Sequence, residues 1–327
     1  MSQKKPYVYV SRRIPEAGLV LLRDSCEMEV YSGKEAVSRS ELLQKVRNVD
    51  GLLCLLSEKI DRELLDSASR LKVVSNYAVG FDNIDVEYAT QKRIAVTNTP
   101  GVLTDATADL TWALILSSAR RVVEGDTMMR NKAYKGWSPL LLLGHELKGK
   151  TLGILGAGRI GQAVAERSRG WSMKILYYDR NENEYLNSNL FAKRCGLPEL
   201  LSHSDVISVH LPLSSDTYHL IDRKSLKSMK KSAVLVNTAR GPIVDEKALK
   251  TALAEKWIAA AGLDVFENEP TMTEDLEKLK NVVLTPHIGS ATIQARDDMA
   301  RIAARNLLAI LEGKEPVSIV NPDVIRK

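Results

Sequence analysis

The sequence predicts an α/β protein built from two doubly wound parallel-sheet domains. Three observations predict it. Short apolar runs rich in Val, Ile and Leu alternate with amphipathic helical segments, the pattern of parallel strands buried on both faces. The alternation comes in two series separated by one long helical stretch. And 327 residues are more than one hydrophobic core normally serves.

The first series opens with the strand run "PYVYVS" and the helical spacing of "PEAGLVLLRDS". It continues with the strand "CEMEVYS", the helix "SRSELLQKVRNV" and the strand "DGLLCLL". "IDRELLDSASR" and "IDVEYATQKR" read as helices, each followed by a strand, "LKVVSNYAV" and "IAVTNTP". This series ends near Pro100. "TDATADLTWALILSSARRVVEGDTMMR" then reads as one long connecting helix, with Thr104 or Asp105 as its N-cap.

The second series runs "GKTLGILGAGRIGQAVAERSRGW", "KILYYDR", "LPELLSHS", "DVISVHLPL", "DRKSLKSMK", "AVLVNTAR", "DEKALKTALAEKW", "IAAAGLDVF" and "NVVLTPH". The last helix, "TIQARDDMARIAARNLLAILEG", crosses back to the first series. The expected division is therefore 1–100 plus 289–327 for a discontinuous outer domain, and 101–288 for an inserted domain.

Composition narrows the class. Hydrophobic residues at 44% and charged residues at 27% fit a globular chain. The net charge of +5 is dispersed, without a dense Lys/Arg block, so no nucleic-acid partner is expected. "PLLLLG" and "GLLCLL" are too short to span a bilayer and no apolar leader precedes the first strand, so no membrane association is expected. Three scattered cysteines without a CxxC pair fit a reducing, cytoplasmic setting. No His/Cys/Asp group has metal-ligand spacing, and no metal is expected.

The strongest local motif is Gly156-Ala157-Gly158-Arg159-Ile160-Gly161, between the strand "KTLGIL" and the helix "IGQAVAERSR". Gly156 permits a tight turn, Gly158 lets a pyrophosphate approach the backbone, and Gly161 lets helix and strand pack closely. The helix N-terminus then offers free N–H groups to phosphate. The next strand ends in Asp179, about 20 residues beyond the glycines, where an acid accepts the ribose hydroxyls. A carboxylate repels a 2′-phosphate, which favours NAD. Arg180 beside it leaves NADP open. The inserted domain is therefore a Rossmann-like dinucleotide-binding domain.

Three charged positions follow strands of this domain: Arg240 in "VNTARG", Glu269 in "DVFENEP" and His287 in "TPHIGS". The carboxyl ends of strands in an open parallel sheet line the ligand crevice. A protonated imidazole suits proton donation near neutral pH. A neighbouring carboxylate orients the ring and favours its charged form. A guanidinium offers a fixed fork to a substrate carboxylate. Three such groups at successive strand ends beside a dinucleotide site point to a functional crevice. His145, His203 and His219 lie in polar segments and are expected to be exposed.

With "NYAVGFDNIDV", "LGAGRIGQAVAERSRGW", "VNTARGPIVDEKAL", "AAAGLDVFENEP" and "LTPHIGSAT" in view, nearly the whole chain resembles the D-isomer-specific 2-hydroxyacid dehydrogenases, in their glyoxylate/hydroxypyruvate reductase branch. The resemblance implies that Arg240, Glu269 and His287 are the catalytic set for reducing a 2-oxo acid, with His287 as proton donor, Glu269 its partner and Arg240 the substrate clamp. It implies a substrate-binding, flavodoxin-like outer domain and a substrate-binding cleft between the two domains. Leu55 then lies beside the substrate, and backbone N–H groups near Val79 and Gly80 hold it. Asp264 matches a contact to the nicotinamide carboxamide, and His210 becomes packing on the cofactor side. Thr238, Ala239, His287 and Gly289, within the matched motifs, join Gly156, Gly158, Arg159, Ile160, Gly161, Asp179 and Arg180 as cofactor contacts. A homodimer is implied, with an arm at about 120–148 carrying the apolar "WSPLLLLG".

The expected activity is NAD(P)H-dependent reduction of glyoxylate or hydroxypyruvate to the D-2-hydroxy acid, with NAD as cofactor and NADP as the alternative. The rivals are a D-lactate or D-3-phosphoglycerate dehydrogenase, and a dinucleotide-sensing interaction protein of the corepressor type. A chain ending at Lys327 leaves no room for the C-terminal regulatory domain of many phosphoglycerate enzymes.

Overall fold

The computed structural model describes residues 5–325. They form two compact units, one reaching Leu103 and resuming at Ala291, the other Thr104–Ser290.

The first unit opens with β1 (Tyr7–Val10), α1 (Glu16–Ser25), β2 (Glu27–Val30), α2 (Arg39–Val46) and β3 (Gly51–Cys54). It continues with α3 (Arg62–Ser67), β4 (Val73–Asn76), α4 (Val86–Gln91) and β5 (Ala95–Thr97). All five strands are parallel, in the order β2-β1-β3-β4-β5. Strands β3 and β4 are buried along their whole length, the polar Ser75 and Asn76 of β4 included, as strands covered on both faces are. Helices α2, α3 and α4 start where Ser38, Asp61 and Asp85 accept an N–H of the first turn.

The second unit begins with α5 (Thr104–Ala119) and α6 (Val122–Arg130), followed by β6 (Thr151–Leu155), α7 (Arg159–Arg167) and β7 (Lys174–Tyr178). Then come α8 (Glu184–Leu190), β8 (Lys193–Arg194), α9 (Leu197–His203), β9 (Val206–Val209), α10 (Arg223–Ser228) and β10 (Val234–Asn237). The unit closes with α11 (Glu246–Ala254), β11 (Ala260–Leu263) and β12 (Val282–Leu284). Its seven parallel strands lie in the order β12-β11-β10-β9-β6-β7-β8. The chain winds one way from β6 to β8 and the other way from β9 to β12. Strand order therefore reverses beside β6, the position at which open α/β sheets bind ligands.

The last helix, α12 (Ile293–Leu311), belongs to the first unit. A Cβ on Gly18 of α1 would lie 2.5 Å from the Ala300 carbonyl oxygen of α12, so the two helix backbones touch. Ser75 of β4 donates to the Ala303 carbonyl at 2.8 Å, and Asn321 accepts the Val96 N–H of β5 at 2.7 Å.

Two expectations change. The stretch read as one long helix breaks at Arg121, which is left-handed at φ 54°. The Ala119 carbonyl, instead of continuing the helical ladder, accepts the His145 N–H at 2.8 Å. Arg121 itself turns to pair with Glu124 at 2.7 Å. The helix also begins at Thr104 itself, so neither Thr104 nor Asp105 precedes it as a cap. The short elements α8 and β8, which the sequence reading passed over, extend the sheet by one edge strand. Among the described residues no helix is long and apolar enough to cross a membrane.

Replacing Gly18 by Val forces a side chain into the Ala300 backbone. The expected cost is about 1–3 kcal/mol, read as a lower urea midpoint. An unchanged midpoint refutes the backbone contact.

Candidate active site

The glycine loop sits between β6 and α7. Gly156 has φ 98°, and a Cβ there would lie 2.7 Å from the His210 carbonyl carbon, so both conformation and space demand glycine. A Cβ on Gly161 would lie 2.0 Å from the Gly156 carbonyl oxygen, which ties the start of α7 against the loop. A Cβ on Gly158 would meet nothing within 4 Å. Packing within the protein therefore does not require glycine at 158, whose backbone faces open space. Gly158 is the N-cap of α7 and supplies no side chain to its first turn, so N–H groups in the segment of Arg159 and Ile160 face an uncapped helix end. These features fit a pyrophosphate.

Asp179 follows β7. Its Oδ2 accepts the Ala157 N–H at 2.8 Å, and its Oδ1 accepts the Asn181 N–H at 3.2 Å. The acid thus braces the glycine loop. Asn183 adds a second brace, donating to the Ala157 carbonyl at 2.8 Å. Arg180 is exposed. Its carbonyl and that of Asp179 are gripped by the Arg194 guanidinium at 2.5 and 2.9 Å.

Thr238, Ala239 and Arg240 form the turn after β10. Buried Asn237 shapes it, accepting the Ala239 N–H at 3.0 Å and donating to the Arg240 carbonyl at 2.8 Å. Thr238 shares a 2.8 Å hydroxyl hydrogen bond with Thr111 of α5. Arg240 Nη1 donates to the Ala239 carbonyl at 2.7 Å.

Asp264 ends β11 and is buried. Its Oδ1 accepts the Thr285 hydroxyl at 2.6 Å and the Ile288 N–H at 2.8 Å. Its Oδ2 accepts the Gly289 N–H at 2.7 Å. Burial pushes its carboxyl above the ordinary carboxylate range, against the pull of these donors and the His287 charge.

His287 stands in the turn so formed, left-handed at φ 52°. Its Nδ1 lies 2.9 Å from Glu269 Oε2. Glu269 Oε1 accepts the Phe266 N–H at 3.1 Å. Burial pushes the Glu269 carboxyl up. The His287 hydrogen bond and charge, the Phe266 N–H and the Arg240 charge outweigh it and hold Glu269 below the ordinary range. Two carboxylates on one loop system are thus shifted in opposite directions.

Leu55, Val79 and Gly80 lie in the first unit. Leu55 donates its N–H to Glu58, and its carbonyl accepts from Asn83 at 3.2 Å. The Ala78 carbonyl accepts the Thr99 N–H at 2.9 Å, and the Val79 carbonyl accepts from Asn98 at 2.7 Å. In a trans peptide the next N–H points the opposite way. The N–H groups of Val79 and Gly80 are therefore turned away from those anchors.

His210 presents its backbone to Gly156 and its Nε2 to Ser208 Oγ at 2.8 Å. Burial lowers its imidazole to about 3. His145 and His203 are exposed, but His219 is not: it is half-buried and hydrogen-bonded to Glu267 at 2.9 Å. Nothing local in "TYHLI" reveals a partner 48 positions away. Asn237 and Asn183 were likewise passed over, although each lies inside or beside a quoted motif. Among the described residues no group of three or more His, Cys, Asp or Glu side chains is placed to hold a metal ion.

A dinucleotide-binding α/β unit with Arg, Glu and His at successive strand ends defines a nicotinamide-dependent oxidoreductase. The family model described as D-isomer specific 2-hydroxyacid dehydrogenase, NAD binding domain, matches residues 112–289. The chain is 53% identical over 325 residues to a glyoxylate reductase of Thermococcus litoralis, covering 98% of each. It is 51% identical over 326 residues to one of Pyrococcus horikoshii, covering 98% of each. A crystal structure of an NADPH-dependent glyoxylate/hydroxypyruvate reductase from Sinorhizobium meliloti, in complex with NADP and malonate, superposes with a TM-score of 0.87. It is 32% identical and covers 99% of each chain. The chain belongs to the D-isomer-specific 2-hydroxyacid dehydrogenases and is an NAD(P)-dependent oxidoreductase.

The glycines make separable predictions. Gly158→Ala should leave the melting temperature unchanged and weaken NADH binding about tenfold or more, because the methyl occupies the phosphate's place. Gly161→Ala should lower the melting temperature through its clash with Gly156. Calorimetry and NADH fluorescence titration check both. Equal NADH affinity in Gly158→Ala and wild type contradicts the cradle.

Proposed function

We propose that this enzyme reduces glyoxylate to glycolate and hydroxypyruvate to D-glycerate, with His287 as proton donor. The observation that carries the reading is the 2.9 Å His287–Glu269 pair within the electrostatic reach of Arg240. Glu269 engages Nδ1, which leaves Nε2 as the ring nitrogen for the substrate oxygen. Arg240 takes the substrate carboxylate and polarises its carbonyl. Val79 and Gly80 offer backbone N–H groups to that carboxylate, and Leu55 an apolar contact. The chemistry that NAD(P)H supplies when bound is hydride donation to the carbonyl carbon. Gly156, Gly158, Arg159, Ile160 and Gly161 hold its pyrophosphate, and Asp179 its ribose. Arg180, Thr238, Ala239, Asp264, His287 and Gly289 complete the cofactor contacts.

Asp179 favours NAD over NADP, since its carboxylate repels a 2′-phosphate. We assign the protein to the cytoplasm as a homodimer. Three free cysteines suit the compartment. The arm at 120–148 exposes Trp137 by 81% and Leu140 by 78%, an apolar surface of the kind a second copy covers.

His287→Gln should cut reduction by about 10²–10⁴-fold while NADH still binds. Glu269→Gln should act more mildly, because it removes the charge beside Nδ1 but keeps an oxygen to orient the ring. Asp264 and Arg240 are the other charges close to this pair. Glu269 sits below its ordinary range, so the attraction persists above that range and is lost as pH falls through the depressed value. Full activity of Glu269→Gln leaves Glu269 without a catalytic part.

The substrate assignment is read from kcat/KM for glyoxylate, hydroxypyruvate, pyruvate and 3-phosphohydroxypyruvate, each with NADH and NADPH. Glyoxylate and hydroxypyruvate with NADH should lead. Pyruvate should trail, since one methylene-sized difference changes discrimination by about 1–3 kcal/mol. The phosphorylated acid should be rejected, and D-glycerate but not L-glycerate oxidised. Preference for the phosphorylated acid, or turnover of the L-isomer, sinks the assignment.

A further inference from the structure

The loop that carries Glu269 is held by groups the reaction does not touch. Glu246, the first residue of α11, is 4% exposed, a rare state for a carboxylate without partners. Its Oε2 accepts the Glu267 N–H at 2.9 Å, and its Oε1 accepts the Thr273 N–H. Those two donors bracket Glu269 along the chain. In return the Glu246 N–H donates to Glu267 Oε2 at 3.3 Å.

Glu267 Oε1 is hydrogen-bonded to His219 Nε2 at 2.9 Å. Tyr218 stacks on the His219 ring with centroids 4.0 Å apart, and the His219 N–H donates to the Pro242 carbonyl at 2.8 Å. At the start of the loop, a Cβ on Gly241 would lie 1.9 Å from the Phe266 carbonyl group. The backbone beside Arg240 therefore rests directly on the backbone that leads to Glu269. Segments 240–246 and 266–273 are stapled together at three places.

We propose that Glu246 is a positioning residue for the reaction: its buried carboxylate, backed by the His219–Glu267 pair, sets Glu269 at hydrogen-bond distance from His287 and in register with Arg240. The inference rests on the assignment of Glu269 as partner of the proton donor. Glu246 works through backbone N–H groups and needs no contact with substrate or cofactor. Its leverage is geometric, since a misplacement of about 1 Å can cost about 10²-fold in rate. Exchanging its carboxylate for an amide turns one acceptor into a donor facing a backbone N–H, which releases one side of the loop.

The test is a double-mutant cycle on the full-length enzyme with NADH: wild type, Glu246→Gln, Glu269→Gln and the double variant. Glu246→Gln should lower kcat for glyoxylate about tenfold, with KM and the NADH dissociation constant within about twofold. In the Glu269→Gln background it should lower kcat little further, because both changes remove one function. A fully additive double variant, or an unchanged kcat in Glu246→Gln, overturns the inference and leaves Glu269's assignment standing. Full activity of Glu269→Gln overturns that assignment and the inference with it. If Glu246→Gln does not fold, His219→Phe takes its place in the cycle. It keeps a ring to stack on Tyr218, removes the hydrogen bond to Glu267, and should show the same kcat loss and the same non-additivity. An additive or absent effect of His219→Phe then counts as refutation.

Discussion

Asp264 is buried at the end of β11, and its two oxygens collect three hydrogen bonds from the turn after β12. Its own carbonyl takes a fourth, from the His287 N–H at 2.9 Å. The placement of His287 depends on this knot. A non-glycine residue in the left-handed region costs about 1–3 kcal/mol, and hydrogen bonds to a charged acceptor contribute about 1.5–3 kcal/mol each. The second effect wins, and the turn stays in a shape the chain would not choose alone. That shape turns Nδ1 toward Glu269. Asp264 thus has a structural duty within the turn itself.

The glycine loop shows how one motif answers to different constraints at each position. Gly156 is required by conformation and by the His210 backbone, and Gly161 by the loop folding under the helix. Gly158 has neither requirement, and its backbone faces open space. Asp179 and Asn183 then grip Ala157 from the end of β7 and the start of α8, so the loop is preformed. A preformed cradle lowers the ordering cost of binding.

Much of this architecture was legible because parallel strands advertise themselves. Buried on both faces, β3, β4, β9 and β10 carry Val, Ile and Leu with few polar residues, and β9 and β10 run straight into the polar His210 and Thr238. Strand ends can therefore be located from the sequence, and with them Arg240, Asp264 and His287. What stayed hidden depends on distant partners. The break at Arg121 follows from a carbonyl claimed by His145, which helical periodicity does not register. The edge strand β8 has two exposed residues and no apolar pattern. His219 looked like a surface residue because its neighbours are polar, while its partner Glu267 comes from another strand end. Asn237 and Asn183 were in plain sight, but an asparagine that shapes a turn looks like any other loop asparagine.

The two histidine–glutamate pairs on the 266–273 loop make the same point about chemistry. Each has a separation of 2.9 Å, and their glutamates are two residues apart. Residue type and distance do not distinguish them; their surroundings do. Glu267 has both oxygens committed within the protein, one to His219 and one to the Glu246 N–H, and His219 is covered by Tyr218. Glu269 gives one oxygen to Phe266 and the other to a histidine held in a strained turn beside Arg240. A pair whose carboxylate also accepts the first N–H of α11 braces two segments at once. Each histidine keeps one ring nitrogen beyond its carboxylate's reach, but only the His287 pair lies near a guanidinium, which suits it to passing a proton to an oxo acid. The two pairs share one loop because the second needs the stiffness that the first provides.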